Sequence, residues 1–376
     1  MVTERAETWR STMRGTIAND VVLAHSDSDR RLISPSSFDR QQRERLESHL
    51  DPNATRSSGA GQRANLEEAD PYRTCFEVDR DRILHKGTAF RRLAGKTQVF
   101  IFPEDHMRTR LTHALEVEQV ARSIASALCL NTTLAEAIAL GHDCGHGPFG
   151  HASEDALSPY LERGFDHARF GADVVLKDLN LTWQTLDGIR CHSWSLPAPS
   201  TLEGEVVSWA DRVAYVCHDF EDACRAGIVR ESMLPKAVLD TLGSVKGRQL
   251  DVLITDIIET SLKSGRVGMS PDMADILAEF RTFNYEYIYM RPASVEQNKV
   301  VVEMLQSLVE YFIDRPHLDV FGERNHDEVT AGSVAATEQA VAYVAGMTDR
   351  FAVRSAMKHL GWSTSKLPRG VDLGSI

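Results

Sequence analysis

Residues 142 to 154 read His-Asp-Cys-Gly-His-Gly-Pro-Phe-Gly-His-Ala-Ser-Glu. The adjacent pair His142 and Asp143, with His113 in Arg-Leu-Thr-His and Asp211 in Trp-Ala-Asp-Arg-Val-Ala-Tyr, offers two imidazoles and two carboxylates. That mixed nitrogen and oxygen set suits a divalent metal that must also hold water, whereas a closed structural zinc would want thiolates. The six cysteines, Cys75, Cys129, Cys144, Cys191, Cys217 and Cys224, show no Cys-x-x-Cys spacing and read as reduced, inert, small core residues. His151 and Glu154 stand three apart, on one face of a helical segment, so the carboxylate can orient the imidazole and raise its basicity.

Ahead of His113 lies a basic run. Between Asp79 and Arg110, eight basic side chains (Arg80, Arg82, Lys86, Arg91, Arg92, Lys96, Arg108, Arg110) face four acidic ones (Asp79, Asp81, Glu104, Asp105). A solvated helix face is the usual meaning of such a run. Because this one leads into His113, an anionic substrate beside the metal is the better reading, and several phosphates would satisfy it.

Helices must position these groups. Leu115, Val120, Ile124 and Leu128 recur at helical steps, and Leu134, Ile138 and Ala139 continue the pattern up to His142. Downstream, Ser270 with Pro271 predicts an N-cap followed by proline at the first helical position, and Ser294 with Gln297 predicts a capping box. One helix is expected over Ser333 to His359, with Val341, Val344, Thr348 and Phe351 along one stripe. Alternating strand patterns and internal repeats are scarce, so the fold class is all-α.

Residues 26 to 70 are polar, with little apolar periodicity, and read as a mobile arm or linker. Within them Gly59-Ala-Gly-Gln-Arg-Ala64 imitates a dinucleotide fingerprint but follows Arg56-Ser-Ser instead of an apolar strand, so it is set aside. The expected organisation is an amino-terminal arm (1–70), a catalytic core (71–225) and a C-terminal helical region packed on that core (226–376). The chain's 376 residues and 42% hydrophobic content support a sizeable core. Its formal charge of −12 argues against the whole surface being a nucleic-acid platform. With no signal peptide and no apolar run long enough to span a bilayer, the chain reads as soluble, cytoplasmic and without a membrane partner.

Several segments in order resemble the deoxyguanosine triphosphate triphosphohydrolase family of HD-domain phosphohydrolases: Phe76 to His85, Phe90 to Phe100, Arg110 to Val117, His142 to Glu154, and Ala210 to Asp219. The similarity continues in Asn284-Tyr-Glu-Tyr-Ile-Tyr289 and Gly346-Met-Thr-Asp-Arg-Phe351, and so spans about residue 71 to about residue 355. The resemblance implies an HD-domain helical bundle with additional C-terminal helices. It also implies hydrolysis of deoxynucleoside triphosphates, dGTP among them, at the α-phosphorus to deoxynucleoside and inorganic triphosphate, which would control dNTP pools.

By the family's pattern, His113, His142, Asp143 and Asp211 bind the metal. Mn²⁺ or Mg²⁺ is the first expectation, and the ligand set also admits Fe²⁺, Co²⁺, Ni²⁺ and Zn²⁺. His151 with Glu154 is the implied catalytic dyad, with His146 and His167 near the phosphates; taken alone, His167 reads as a hydrogen-bonded core or surface residue. Arg110 is expected to meet the α-phosphate, Arg212 and Tyr215 to lie along the phosphates and sugar, and Gln98 and Asp219 to contact the sugar 3′-hydroxyl. Asp222 is a weaker case, explained equally by solvation of its helix. Partners implied are the dNTP, further copies of the chain in a tetramer or hexamer, and single-stranded DNA. Two other readings stay open: an HD nucleotidase or phosphodiesterase acting on mono- or cyclic nucleotides, and a nucleotide- or single-strand-binding protein with weak hydrolysis.

Overall fold

The structure is a computed structural model that describes residues 3–32, 38–101, 106–318 and 329–369. Its internal contacts divide it into residues 1–38 and 39–376. In the first unit, α1 (Glu4–Thr12) is capped by the Thr3 hydroxyl and is followed by an antiparallel hairpin of β1 (Thr16–Ala18) and β2 (Val21–Leu23), with Thr16 opposite Leu23. This hairpin is the small exception to an otherwise helical fold.

Among the described residues, the named elements of the second unit are all helices. Its elements are α2 (Arg40–Leu46), α3 (Cys75–Asp81), α4 (Thr88–Arg92), α5 (Arg110–Ala127), α6 (Thr132–Gly141), α7 (His151–Leu157), α8 (His167–Phe170), α9 (Trp183–Cys191) and α10 (Leu202–Arg225). After them come α11 (Lys236–Leu242), α12 (Lys246–Ser264), α13 (Pro271–Asn284), α14 (Pro292–Ile313), α15 (Val334–Ala345) and α16 (Asp349–Leu360). Among the described residues, no helix is long and apolar enough to cross a membrane.

Two cores hold the unit together. In the first, α5 contributes Val117, Val120 and Ile124, α6 contributes Leu134 and Ile138, and α10 contributes Val206, Val213 and Val216; Leu253 of α12 and Phe280 of α13 join them. Each such side chain, fully buried, stabilises the fold by about 1.5–3 kcal/mol. From Leu134 to Gly141 every residue of α6 is buried, so it is a central helix with no solvent face. The second core joins Ala156 and Leu157 of α7 to Met304, Leu305 and Phe312 of α14, Val341 and Val344 of α15, and Val353 of α16.

Several local expectations need correction. The buried face of α5 is Arg110, His113, Ala114, Val117, Val120, Ala121 and Ile124, a three-and-four spacing that leaves Leu115 outside. Ser270 caps α13 as its sequence predicts, accepting the Met273 N–H. No capping box forms at Ser294: α14 starts at Pro292 because proline fits the first helical turn, Ser294 bonds Ile288 O, and Gln297 accepts the Arg369 N–H. The single helix expected over 333–359 is two, because Thr348 turns out of the stripe and caps α16 through the Phe351 N–H.

Residues 39–70 are held to the helical body by buried carboxylates that their polar composition concealed. Asp79, fully buried, accepts from Arg63 at 2.5 Å and from the Thr182 N–H, Thr182 hydroxyl and Thr185 hydroxyl at 2.6–2.9 Å. Glu203 of α10 takes both donors of Thr55 and the Asn131 N–H. A buried carboxylate persists only when its oxygens are satisfied, and Arg63 with three further donors does this for Asp79 while three neutral donors do it for Glu203.

Half of the basic run is likewise paired internally. Arg80 pairs with Glu136, Arg82 with Glu67, Arg108 with Glu116, Glu221 and Asp222, and Arg110 with Asp143. Arg91 and Arg92 donate to the carbonyls of His85 and Gly346, and Lys96 is buried. Arg80, Arg82, Arg108 and Arg110 therefore stitch the fold together, while Lys86, Arg91 and Arg92 stay exposed without a carboxylate partner among the described residues. Asp222 belongs to the same network, accepting from Arg108 at 2.5 Å, and is buried, not a solvated helix residue.

Candidate metal centre

Four elements converge on one buried pocket of titratable groups. Helix α5 brings His113 one turn after Arg110, α6 ends at His142, α10 brings Asp211, and the turn after α6 carries Asp143 and His146. Gly145 makes that turn possible, since a Cβ there would overlap the His167 carbonyl. Gly141 and Gly188 let α6 and α9 pack closely: a methyl on the first would overlap Ile189, on the second Ile138.

The four residues expected to hold a metal do come together. His113 Nε2 lies 3.1 Å from Asp211 Oδ1 and 4.0 Å from Asp143 Oδ2, while His142 Nε2 lies 3.5 Å from Asp143 Oδ1 and 3.7 Å from Asp211 Oδ1. His142 Nδ1 sits 2.6 Å from the Ala139 carbonyl, so that nitrogen carries the proton and Nε2 turns a lone pair inward. Nε2 is buried with no hydrogen-bond partner, as a metal-ligating atom is before its ion binds. The cluster is consistent with a divalent metal.

Charge is balanced around it. Burial works against the Asp143 carboxylate, but Arg110, 2.8 Å away, with His142 and His146, outweighs it and holds the group well below its ordinary range. Asp211 behaves the same way, burial being overcome by His113 and His142. Arg110 thus reaches a proposed metal ligand; its expected role against a phosphate rests on the same guanidinium.

Glu154 serves two imidazoles where one was expected. Its Oε1 lies 2.6 Å from His167 Nδ1 and accepts the His167 backbone N–H, while Oε2 lies 3.4 Å from His151 Nδ1. Burial opposes its charge, yet the hydrogen bonds from His151 and His167 hold the carboxyl far below its ordinary range. His151 is exposed, whereas His167 is buried and stacked at 3.7 Å on His146, whose Nε2 is 3.1 Å from Asp143 Oδ1. His167 therefore belongs to the cluster and is not an isolated core histidine.

The remaining expected residues lie on the irregular segment before α5 and along α10. Gln98 is half-buried, with its Oε1 unpartnered. Asp219 accepts from Tyr289 at 2.5 Å through Oδ2 and keeps Oδ1 buried and unpartnered; burial, opposed by Tyr289, pushes its carboxyl up to about 7. The Arg212 guanidinium packs 3.8 Å from the Trp194 ring and 5.8 Å from Tyr215, whose hydroxyl accepts from Arg281.

Four neighbours were given no place of their own in the site by sequence reasoning. His192, one residue past α9, meets His142 edge-on at 5.0 Å and brings Nε2 to 3.2 Å from His167 Nε2. Trp194, Lys96 and Asp349 complete the surroundings. Only Lys96 and Asp349 had a signal, as members of quoted segments; nothing local marks His192.

An HD-domain phosphohydrolase is what this helical fold and His/Asp cluster define, and the HD domain family model matches residues 110–216, with the phosphohydrolase-associated domain matching residues 267–358. A deoxyguanosinetriphosphate triphosphohydrolase-like protein of Caldanaerobacter subterraneus subsp. tengcongensis is 43% identical over 312 residues, covering 81% of this chain and 90% of that relative. Namesakes from Clostridium perfringens (41% identity, 77% and 87% covered) and Desulfatibacillum aliphaticivorans (38%, 82% and 94%) are similar in the same way. The chain belongs to this family of deoxyguanosinetriphosphate triphosphohydrolase-like proteins.

Proposed function

We propose that the protein hydrolyses deoxynucleoside triphosphates at the α-phosphorus, releasing deoxynucleoside and inorganic triphosphate, with a divalent metal held by His113, His142, Asp143 and Asp211. The observation that carries the reading is the convergence of those four residues, Asp211 half-buried and the other three buried, beside imidazoles buttressed by Glu154. The names of the relatives support the substrate class. When bound, a divalent ion there would polarise a phosphate oxygen and lower the pKa of water towards neutrality.

The chain's own groups supply the rest. Arg110 keeps Asp143 ionised and therefore able to ligate. The departing 5′-oxygen is a strongly basic alkoxide and needs a proton. Glu154 fixes the Nδ1 proton of His151 and His167, which leaves each Nε2 to take or give one. His151, the exposed imidazole of the two, is the one a large substrate can reach from solvent. Arg212, with aromatic neighbours and no carboxylate pair among the described residues, is available to a phosphate. Gln98 and Asp219 each present an unsatisfied buried oxygen that a sugar hydroxyl would satisfy, and the Tyr215 ring, one helical turn before Asp219 on α10, would limit room for a 2′-hydroxyl.

Phosphorus NMR with Mn²⁺ and each dNTP in turn, then all four mixed, tests this. A triphosphate resonance is the expected product; orthophosphate or pyrophosphate in its place would sink the proposal. Turnover confined to the mixture would add an activating nucleotide to it.

A further inference from the structure

Helix α13 is joined to α10 by two kinds of contact. Phe280 and Phe283 pack edge-on against Phe220, with ring centroids 5.4 and 6.0 Å apart. Apolar packing of this kind holds two helices together but, being non-directional, does little to fix how far one has slid along the other. A hydrogen bond does that. Asn284, fully buried at the end of α13, donates from Nδ2 to the Val216 carbonyl at 2.8 Å. Val216 stands on α10 directly after Tyr215 and one turn ahead of Asp219.

That bond leaves an orphan behind. The helical ladder of α10 uses one lone pair of the Val216 carbonyl, and Asn284 takes the second. The Oδ1 of Asn284 remains buried with no hydrogen-bond partner. An apolar side chain of similar shape would leave no unsatisfied acceptor and would not break the ladder, so stability alone does not call for an amide here. What the amide supplies is register.

Two further bonds depend on that register. Arg281, one turn before Asn284, donates to the Tyr215 hydroxyl at 2.8 Å, and Tyr289, further along, donates to Asp219 Oδ2 at 2.5 Å. Tyr289 comes round to α10 because Tyr285–Tyr289 form a π-turn, closed by the Met290 N–H on the Tyr285 carbonyl at 2.9 Å. An α-turn would return residue 287 or 288 to the face of Asn284, and the wider turn carries one residue more. With Oδ2 taken by Tyr289, the buried and unpartnered Oδ1 is the acceptor that Asp219 has left for a ligand.

We infer that Asn284 is a positioning residue for sugar recognition: by fixing the register of α13 on α10 it holds Tyr289 against Asp219, and so holds Asp219 Oδ1 where it accepts from the 3′-hydroxyl of a deoxynucleotide. This role rests on Asp219 meeting the sugar, as proposed above, and names the residue that sets that contact. A slip of one helical turn would displace the Tyr289 hydroxyl by about 5.4 Å and break its bond to Asp219.

The test compares each dNTP with its 2′,3′-dideoxy analogue, using the full chain with Mn²⁺. The wild type is expected to favour the dNTP by at least about tenfold in kcat/KM, since a site built to bond a hydroxyl rejects the analogue that lacks it. Asn284→Leu should bring the two within about threefold while melting no lower than the wild type, a combination that a merely structural residue would not give. A variant that keeps the wild-type ratio, whatever its absolute rate, overturns the role, as does a wild type that does not distinguish the pair. Should Asn284→Leu not fold, as read by circular dichroism, Tyr289→Phe decides: it removes the same bond to Asp219, and a wild-type ratio there overturns the role equally. Phosphorus NMR runs beside the kinetics. Triphosphate with an unchanged ratio would remove only the role of Asn284. Without triphosphate from any nucleotide the proposed reaction falls, and the same ratio is then read from calorimetric Kd values: a wild-type preference lost in Asn284→Leu supports the role, and a wild type that binds both nucleotides alike, or neither, overturns it.

Discussion

Asp349 accepts the backbone N–H of Phe149 at 2.7 Å across 200 positions of sequence. Its other oxygen takes both the N–H and the hydroxyl of Thr97, at 2.8 and 2.6 Å. One carboxylate at the start of α16 thus anchors the turn that delivers His151 and the segment that delivers Gln98. The turn needs an anchor, because Phe149 is held at φ +64°, a region where a bulky residue costs on the order of 1–3 kcal/mol.

Replacing Asp349 by Ala removes the acceptor of three donors, at about 1–3 kcal/mol for each one left buried. We expect Asp349→Ala to melt several degrees lower and to lose turnover at least tenfold with its bound metal unchanged. Calorimetry, steady-state kinetics and metal analysis measure the three. A wild-type kcat with only a lowered melting temperature would mean that Asp349 supports the fold and not the site.

Asp143 and Glu154 should separate metal from rate. Asp143→Asn is expected to lose metal and turnover together, and it should also destabilise the chain, because Arg110 is then left buried beside a neutral amide. Glu154→Gln should keep its metal and lose about 10²–10⁴ in kcat, since His151 and His167 both lose the carboxylate that orients them. Metal content measured alongside kcat for each variant checks this, and full activity in either would cancel the role assigned to that residue.

Lys96 should give the fold an alkaline signature. Burial, opposed by Asp349 and reinforced by Arg110, brings its ammonium down to about 7 from an ordinary 10.5. The neutral amine has two N–H groups, matching its two acceptors, the carbonyls of His146 and Ala345. Between about pH 7 and 10.5 the unfolded chain holds a proton at Lys96 that the folded chain does not. Unfolding then takes up a proton, and stability from this group rises with pH by at most about 1.4 kcal/mol per unit. Lys96→Met should flatten that rise in denaturant titrations at pH 7, 8.5 and 10; an unchanged slope would show that the lysine titrates normally.

Much of the site was readable from residue type and order, for specific reasons. His142 and Asp143 are adjacent, and His151 and Glu154 lie one helical turn apart, so local spacing reports their geometry. Arg110 and His113 share the buried face of α5 because three residues make nearly one turn. What stayed hidden depends on how distant segments pack. His192 reaches His142 only because Gly141 and Gly188 let two helices close together. Arg80, Arg82 and Arg108 looked like part of a phosphate surface because their partners, Glu67, Glu116, Glu136 and Glu221, lie outside the run. Polar residues 39–70 looked mobile because the carboxylates that bind them, Asp79 and Glu203, belong to helices further along.

Trp194 and Arg212 make the last prediction. The indole is 48% exposed, donates to the Ser208 carbonyl and meets Trp209 edge-on, so its ring is fixed before any ligand arrives. The guanidinium above it has burial and the nearby Arg281 acting against its charge, which an incoming phosphate would relieve. A cation–π contact of this kind contributes about 0.5–2 kcal/mol. Trp194→Ala should therefore raise KM for a dNTP several-fold while leaving kcat within a factor of about two, because the lost interaction holds substrate and transition state alike. Trp194→Phe should recover part of the loss by restoring a ring face. Arg212→Lys should not, since a compact ammonium cannot lie flat on the indole and fork two phosphate oxygens at once. An unchanged KM in Trp194→Ala would mean that Arg212 is held by packing alone and does not meet the substrate's phosphates.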